Sequence, residues 1–197
     1  GKTVLVTGAS SGIGQGMARL FAKLGYNLAI CARRSERLEQ LKTDLLNSYP
    51  DIKVEYRVLD VAEYESIFDV FQDFKKEFGH IVRIVVNAGV GESRRIGKGG
   101  FDINRRTAEI NFVSALAQCE AAMQIFREQN NGHLVVISSM SAMRGLPGYI
   151  TTYSASKAAI AHLAAGIRAD MLMSKLPIQI TTIYPGYIRT EINEGAK

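Results

Sequence analysis

Apolar runs of strand length alternate with longer segments of helical period, and this alternation constrains the fold more than any other feature of the chain. We predict strands near Thr3–Thr7, Asn27–Cys31, Lys53–Val58, Ile81–Val86, His133–Ser138 and Ile178–Ile183. Nearly continuous hydrophobic strands separated by helices are typical of βαβ units, whose parallel sheet is covered on both faces. We therefore predict an α/β fold with a doubly wound parallel sheet in three layers, α/β/α.

The bulk properties fit one domain without a membrane span or a metal site. A chain of 197 residues with 47% hydrophobic content and no internal repeat is expected to form a single domain over residues 1–197. The net charge of +5 comes without a nucleic-acid-binding motif, so we expect no nucleic-acid partner. Cys31 and Cys119 lack CxxC spacing, and His80, His133 and His162 share no spacing. We expect structural thiols, no metal and a cytoplasmic location.

A glycine-rich turn lies at the first junction between strand and helix. Residues Val4–Gly14 pass from an apolar run directly into a helix expected over about Gly12–Leu24, with Gly25 as its left-handed stop. Its apolar residues are expected on one face, namely Ile13, Met17, Leu20, Phe21 and Leu24. Glycines at such a turn let the backbone approach a pyrophosphate, whose charge the helix N-terminus stabilises. We therefore predict a Rossmann fold with a dinucleotide site at this turn. The residues assigned to the turn are Gly8, Ser10, Ser11, Gly12, Ile13 and Gly14.

The glycine spacing is TGxxxGxG rather than the usual GxGxxG, and it resembles that of the short-chain dehydrogenase/reductase family. The resemblance is collinear from Lys2 to about Ile192 and rests on several motifs in order. It implies further cofactor contacts in three segments. These are Asp60 and Val61 beside the adenine, Asn87, Ala88 and Gly89 after the fourth strand, and Pro185, Gly186 and Thr190 at the nicotinamide carboxamide.

The end of the second strand indicates which nicotinamide cofactor is bound. Its last residues are followed by Arg33 and Arg34, with no acid before Glu36. In Rossmann folds an acid at this place binds the ribose 2′-hydroxyl of NAD, whereas a basic residue accommodates the 2′-phosphate of NADP. We predict NADP(H), with Arg33 as the more direct ligand, Arg34 able to reach the same phosphate, and Ser10 or Ser11 assisting.

Tyr153 and Lys157 are the predicted centre of the chemistry. Four residues apart, they lie on one face of a long helix that is expected to end near Ser174. An unperturbed tyrosine has a pKa near 10, and a nearby cation lowers it by favouring the phenolate. Both residues are also assigned to the cofactor, since the family's YxxxK motif contacts it.

Serine and asparagine side chains complete the predicted catalytic group. Ser138 and Ser139 end an apolar strand at the sheet edge where open α/β folds bind ligands. The resemblance implies a serine bonded to the substrate oxygen, which we assign to Ser139. Ser138 and Ser141 stay open, because the spacing to Tyr153 is one residue longer than is commonest. Asn111 matches the family asparagine that supports a water-linked proton relay to the lysine.

These residues predict an NADPH-dependent oxidoreductase that transfers a hydride between nicotinamide and a small carbonyl or secondary alcohol compound. The alternatives are an epimerase or dehydratase of the same superfamily and a nucleotide-sensing protein without turnover. The resemblance also implies a homo-oligomer, either a dimer or a tetramer. Because relatives continue past Thr190, we expect the supplied residues to lack the C-terminal lid and the last strand of the family.

One long irregular segment, Gly89–Phe101, carries Arg94, Arg95 and Lys98. Two interpretations are open at this point. The basic side chains face the site and favour a substrate with an anionic group, or they belong to a solvated, mobile loop.

Overall fold

The computed structural model describes residues 1–188 of the chain, and the six strands in this part form one parallel sheet. The strands are β1 (Thr3–Thr7), β2 (Asn27–Ala32), β3 (Val54–Val58), β4 (Ile81–Val86), β5 (Gly132–Ile137) and β6 (Ile178–Ile183). Their order across the sheet is β3-β2-β1-β4-β5-β6. The doubly wound parallel sheet is therefore confirmed, and each predicted strand lies within one residue of its expected position.

Helices connect successive strands on both sides of the sheet. They are α1 (Gly12–Lys23), α2 (Ser35–Ser48), α3 (Tyr64–Phe78), α4 (Phe101–Ala108), α5 (Ser114–Gln129) and α6 (Thr151–Met173). A π-helical turn over Glu109–Val113 joins α4 to α5, and 3₁₀ turns over Met140–Met143 and Gly148–Ile150 precede α6. No helix within residues 1–188 is long and apolar enough to cross a membrane.

Two hydrophobic clusters lie on opposite faces of the sheet. Val4 and Val6 of β1 pack with Phe21 of α1 on one face, whereas Leu5 belongs to the cluster that contains Phe126 of α5 on the other. Because alternate residues of a strand point to opposite faces, a strand covered on both sides needs apolar residues at every position. This is the physical reason for the continuous apolar runs in the sequence.

The buried face of α1 differs from the expected one. Leu20 and Leu24, expected to face the core with Phe21, are 55% and 61% exposed. The face in contact with the sheet is instead formed by small residues together with Phe21, namely Gly14, Ala18 and Ala22. Small side chains at intervals of four let the helix lie close to the strands, so the helix is rotated away from its largest apolar stripe. The helix ends as predicted at Gly25, whose φ is +77°.

The two cysteines are free and buried, Cys31 in β2 and Cys119 in α5. Burial raises the pKa of each thiol to about 12. A thiol with such a pKa is unreactive at neutral pH. Both residues are core side chains, as the sequence indicated.

The strand order reverses direction between β1 and β4, which are hydrogen-bonded neighbours in the sheet. The connections after these two strands leave toward opposite faces, because α1 packs with one cluster and α5 with the other. A crevice therefore opens at the carboxyl ends of the two strands, where open α/β sheets bind ligands. The glycine turn after β1 and Asn87 after β4 both lie at this edge.

Candidate active site

The glycine turn is tied directly to the end of β4. The Thr7 hydroxyl accepts hydrogen bonds from the backbone N–H groups of Asn87 and Ala88, at 3.0 and 3.1 Å. In return, the Asn87 amide donates to the carbonyl oxygens of Thr7 and Gly8 at 2.9 and 3.4 Å. The residues predicted on these two segments are thus brought together at the crevice. Gly8 and Gly12 have φ of +65° and +56°, as a turn of this kind requires.

The start of α1 is suited to a negatively charged ligand. Its N-cap residue Ser11 makes no side-chain capping bond, and its first turn contains no acidic residue. The first N–H groups of a helix have no partner within the helix and carry a partial positive charge. A pyrophosphate would satisfy these groups where the chain supplies no side chain to do so.

The turn has no room for a side chain at Gly14. A Cβ there would lie 2.4 Å from the Gly8 carbonyl oxygen and 2.5 Å from the Asn87 amide nitrogen. Since the first of these atoms is backbone, a substituent at Gly14 must displace the turn itself.

Replacing Gly14 with Ala is therefore expected to weaken dinucleotide binding roughly tenfold or more, since overpacking costs about 1–3 kcal/mol. The chain has no tryptophan, so the fluorescence of NADPH itself can be titrated without interference. Gly16→Ala is the matched control, because a Cβ at Gly16 meets nothing within 4 Å. Equal affinity of the Gly14→Ala variant and the wild type would contradict the assignment of this turn.

Arg34, rather than Arg33, lies against the serines of the glycine turn. Its Nη2 donates to the hydroxyls of Ser10 at 3.1 Å and Ser11 at 2.7 Å, and its Nε also donates to Ser10 at 3.2 Å. Arg33 is exposed. The expectation that Arg33 is the more direct ligand is therefore not supported by the contacts. The reason is local: Arg34 is the N-cap residue of α2, and its extended backbone turns the side chain back across the sheet edge.

Asp60 and Val61 follow β3 at the same edge of the sheet. The Asp60 carboxylate accepts a hydrogen bond from the N–H of Ala62 at 3.0 Å, and Val61 is buried in the core. The N–H of Leu59 donates to the carbonyl of Ala32 at 2.9 Å, so this segment lies beside the end of β2. Both predicted residues are therefore on the Arg34 side of the crevice.

Tyr153 and Lys157 face the end of β5 from α6. Lys157 is 7% exposed, and its Nζ donates to the Ile137 carbonyl at 3.0 Å. The same Nζ lies 6.0 Å from the centre of the Tyr153 ring. The spacing of four residues thus places both side chains at one strand end, as predicted.

The pKa of Tyr153 differs from the value expected from the sequence. Burial is the largest influence on Tyr153 and raises the pKa of the phenol above its usual value, while its hydrogen bond with Ser139 acts in the opposite direction. Burial also lowers the pKa of Lys157 to about 8. The expected lowering of the tyrosine pKa by the lysine is not found, because Nζ is directed to Ile137. A phenol with a raised pKa keeps its proton at neutral pH and can donate it.

The three candidate serines have distinct partners. The Ser138 hydroxyl donates to the Lys157 carbonyl at 2.7 Å and so holds α6 against the sheet. Ser139 is close enough to the Tyr153 phenol to act on its pKa, which it lowers against the larger effect of burial. Ser141 donates to Ser139 from both its N–H and its hydroxyl, at 3.1 and 2.9 Å. The structure therefore brings Ser139 to Tyr153, and Ser141 orients Ser139.

Asn111 lies in the π-helical turn between α4 and α5 and is 1% exposed. Its amide accepts from the Val90 N–H at 2.8 Å and donates to the Ser156 hydroxyl at 3.1 Å. A Cβ at Gly89 would lie 3.0 Å from the Asn111 Oδ1 and 3.4 Å from the Lys157 Nζ. Asn111 and Lys157 thus both border Gly89, where a Cβ would require these side chains to move by a few tenths of an ångström.

Ser156 is a polar residue of the site that the sequence analysis did not single out. It is buried on α6, accepts from Asn111 and donates to the Tyr153 carbonyl at 2.7 Å. Its position three residues after Tyr153 and one before Lys157 is the sequence signal that could have identified it. Ser156 connects the π-helical turn to α6, the helix that carries Tyr153 and Lys157.

Pro185 and Gly186 lie beside the serine segment. The Met140 N–H donates to the Pro185 carbonyl at 3.0 Å, and a Cβ at Gly186 would lie 3.4 Å from the Met140 sulfur. The segment after β6 therefore lies against Met140, the residue that follows Ser139. Thr190, also predicted here, lies outside the described residues.

Comparison with known proteins assigns these motifs to one group. Residues 2–197 match the model of the short chain dehydrogenase family. The chain is 46% identical over 189 residues to an uncharacterized oxidoreductase of Mycobacterium tuberculosis, a match that covers 96% of this chain and 74% of that protein.

Two solved structures share the fold and differ in their bound dinucleotide. An alcohol dehydrogenase from the archaeon Thermococcus sibiricus, complexed with 5-hydroxy-NADP, has a TM-score of 0.84 at 28% identity, covering 95% of this chain and 77% of that one. A short-chain dehydrogenase/reductase from Burkholderia phymatum, in complex with NAD, has a TM-score of 0.92 at 22% identity, covering 98% and 68%. At that identity the second match shows the fold alone. The predicted Rossmann fold is confirmed.

Proposed function

The chain belongs to the short chain dehydrogenase family, and on that premise we propose that it is an NADP(H)-dependent oxidoreductase acting on a small carbonyl or secondary alcohol compound. The observation that carries the proposal is the convergence of Tyr153, Ser139 and the buried Lys157 at the end of β5, where Ser139 acts on the pKa of the phenol. These groups lie at the crevice that the glycine turn opens. The site thus combines a proton donor with a dinucleotide cradle.

The cradle fits a dinucleotide on steric grounds. A side chain is excluded at Gly14 by the Gly8 carbonyl, and at Gly89 a Cβ would already be in tight contact with Asn111. The residues that would hold the cofactor are those of the glycine turn together with Arg34, Asp60, Val61, the segment from Asn87 to Gly89, and Pro185 and Gly186. When bound, the nicotinamide would supply or accept a hydride.

The protein's own residues account for the proton and for the developing charge. Tyr153 keeps its proton at neutral pH, because burial raises the pKa of the phenol, and it donates that proton to the substrate oxygen during reduction. Ser139 donates a hydrogen bond to the same oxygen as negative charge builds on it. Lys157 carries a positive charge below its pKa of about 8 and lies at the same strand end, 6.0 Å from the centre of the Tyr153 ring. In the reverse direction the phenolate accepts the proton of an alcohol.

The preference for NADP(H) rests on Arg34. Its guanidinium and the two serine hydroxyls form a compact set of hydrogen-bond donors beside the end of β2. No acid occurs in the sequence between the end of β2 and Glu36, where Rossmann folds that bind NAD carry one for the ribose 2′-hydroxyl. A guanidinium with neighbouring hydroxyls suits a phosphate.

Location and assembly belong to the same proposal. The free, buried thiols of Cys31 and Cys119 support a reducing compartment such as the cytoplasm. Exposed apolar side chains on one helical segment, Val113 and Leu116, support self-association into a dimer or tetramer.

The test of the proposed function is consumption of NADPH and NADH with a panel of ketones and aldehydes, followed at the absorbance of the reduced nicotinamide. We expect carbonyl-dependent oxidation of NADPH and formation of the corresponding alcohol. Turnover of a nucleotide sugar without net cofactor consumption would indicate an epimerase or dehydratase instead. Cofactor binding without any turnover would indicate a sensing protein.

Arg94 and Arg95 of the basic loop have different surroundings. A Cβ at Gly148, just before α6, would lie 3.9 Å from the Arg95 guanidinium, whereas the Arg94 side chain packs against Gly100 on the other side of the loop. Arg95 is exposed. The hypothesis of an anionic substrate therefore depends on Arg95.

Replacing Arg95 with Ala is expected to lower kcat/KM for a carboxylate-bearing carbonyl substrate about tenfold, the effect of losing one charge-assisted hydrogen bond, and to leave a neutral analogue unaffected. Arg94→Ala is the matched control, because it removes the same charge from the neighbouring position. An equal change for acidic and neutral substrates would support the alternative of a solvated loop.

A further inference from the structure

One face of α4 and the following π turn carries three buried polar side chains. Asn104, Thr107 and Asn111 are 8%, 1% and 1% exposed, and their spacing of three and four residues places them on the same side. Buried polar groups are costly without hydrogen bonds, so each must have a partner in the adjacent segment.

The partners are alternate residues of the irregular segment 90–94. Asn111 accepts from the Val90 N–H at 2.8 Å and donates to the Val90 carbonyl at 2.9 Å. Asn104 does the same with Arg94, at 2.8 and 3.0 Å. Between them, the Thr107 hydroxyl donates to the Glu92 carbonyl.

We call this set of bonds from Asn104, Thr107 and Asn111 the polar ladder. Two asparagines that each bond both backbone groups of one residue reproduce what a neighbouring β-strand would offer. The ladder therefore fixes a segment that has no secondary structure of its own.

Ser93 links the segment held by the polar ladder to α6, the helix that contains Tyr153. It lies between two residues held by the ladder and is 4% exposed. Its hydroxyl donates to the carbonyl of Tyr149, one helical turn before Tyr153. The segment thus bridges the π turn that carries Asn111 and the start of α6.

We propose that Asn104, Thr107 and Ser93 are positioning residues for Tyr153, acting through the polar ladder and the carbonyl of Tyr149. The kinetic part of this inference rests on the proposed function. Proton transfer requires the phenol to be within hydrogen-bond reach of the reacting oxygen, and a misplacement of about 1 Å can cost roughly a hundredfold in rate. The ladder keeps the helix that carries Tyr153 in position relative to Asn111 across the loop between them.

The decisive substitution is Thr107→Val, which keeps the shape of the side chain and removes the hydroxyl. We expect kcat to fall about tenfold, a fraction of the full misplacement effect, while the Kd for NADPH is unchanged. The solvent deuterium isotope effect on kcat should increase, because proton transfer becomes more rate-limiting. Thr107→Ser keeps the hydroxyl and should restore most of kcat. Thr181→Val, which removes a hydroxyl bonded to His133 in the sheet, is the control and should match the wild type.

A second measurement does not depend on turnover. Hydrogen–deuterium exchange of the backbone amides of residues 153–157 should be faster in Thr107→Val and in Ser93→Ala than in the wild type and Thr181→Val. An inactive wild type would contradict the proposed function while leaving this readout intact. Should Thr107→Val fail to fold, Ser93→Ala makes the same test. Unchanged exchange at residues 153–157, or a lowered Tm with wild-type kcat and isotope effect, would overturn the positioning role.

Discussion

A Tyr153→Phe variant is expected to bind NADPH as the wild type does and to lose 10²- to 10⁴-fold in kcat/KM, roughly the contribution of a general acid. The phenylalanine ring fills the same half-buried space, so packing against α6 is retained. Only the transferable proton and the bond to Ser139 are removed. Ser139 keeps its contacts with Ser141, and the serine segment should stay in place.

The measurement compares steady-state kcat/KM on the best carbonyl substrate with a fluorescence titration of NADPH. Tyr26→Phe is the matched control, since Tyr26 packs against Phe21 at 5.6 Å between ring centres and lies away from the crevice. Tyr153 has the assigned role only if the two variants separate in rate and agree in cofactor affinity. A variant that retains more than about a tenth of the wild-type rate would have lost much less than the usual general-acid contribution. That result would show that another group supplies the proton.

An Arg34→Asp variant is expected to move cofactor preference from NADPH toward NADH by more than a hundredfold in the ratio of kcat/KM values. Loss of the charge-assisted contact alone is typically worth ~1.5–3 kcal/mol, roughly ten- to a hundredfold. The aspartate adds repulsion of the 2′-phosphate and offers an acceptor to the free 2′-hydroxyl of NADH. Both added effects favour NADH.

Arg33→Asp makes the same change of charge one residue away. It therefore separates the effect of a direct contact with the phosphate from the effect of a nearby charge. Arg33 is exposed, so its influence on the phosphate is screened by solvent and salt. We expect Arg33→Asp to shift the ratio far less than Arg34→Asp. Ser11→Ala should give an intermediate shift, because it removes one hydroxyl from the Arg34 cluster. A larger shift for Arg33→Asp than for Arg34→Asp would indicate that Arg33 binds the 2′-phosphate.

The sequence by itself was sufficient for the sheet and for the motifs at its edge. Strands covered on both faces are mostly apolar along their length, so most of them could be located from composition and length. The glycine turn, Asn87 after β4 and the serines after β5 each follow a strand, and the carboxyl ends of parallel strands meet at one edge. Proximity of these groups therefore followed from strand order alone.

Only the tertiary structure decided which of two neighbouring residues makes each contact. Arg33 and Arg34 have the same chemistry, and the backbone where β2 meets α2 determines which guanidinium reaches Ser10 and Ser11. Ser138 and Ser139 are likewise distinguished by α6, a helix that begins twelve residues later, because Ser138 bonds its backbone and Ser139 acts on its tyrosine.

The face of α1 and the polar ladder were also beyond the sequence pattern. Hydrophobic periodicity selects the largest apolar stripe of a helix, but α1 buries Gly14, Ala18 and Ala22 because close approach to the strands needs small side chains. Asn104 and Thr107 resemble ordinary polar positions until the segment 90–94 is seen against them. A hydrogen bond between distant segments depends on the position of both partners, and a period of 3.6 or 2 along one segment contains no information about the other.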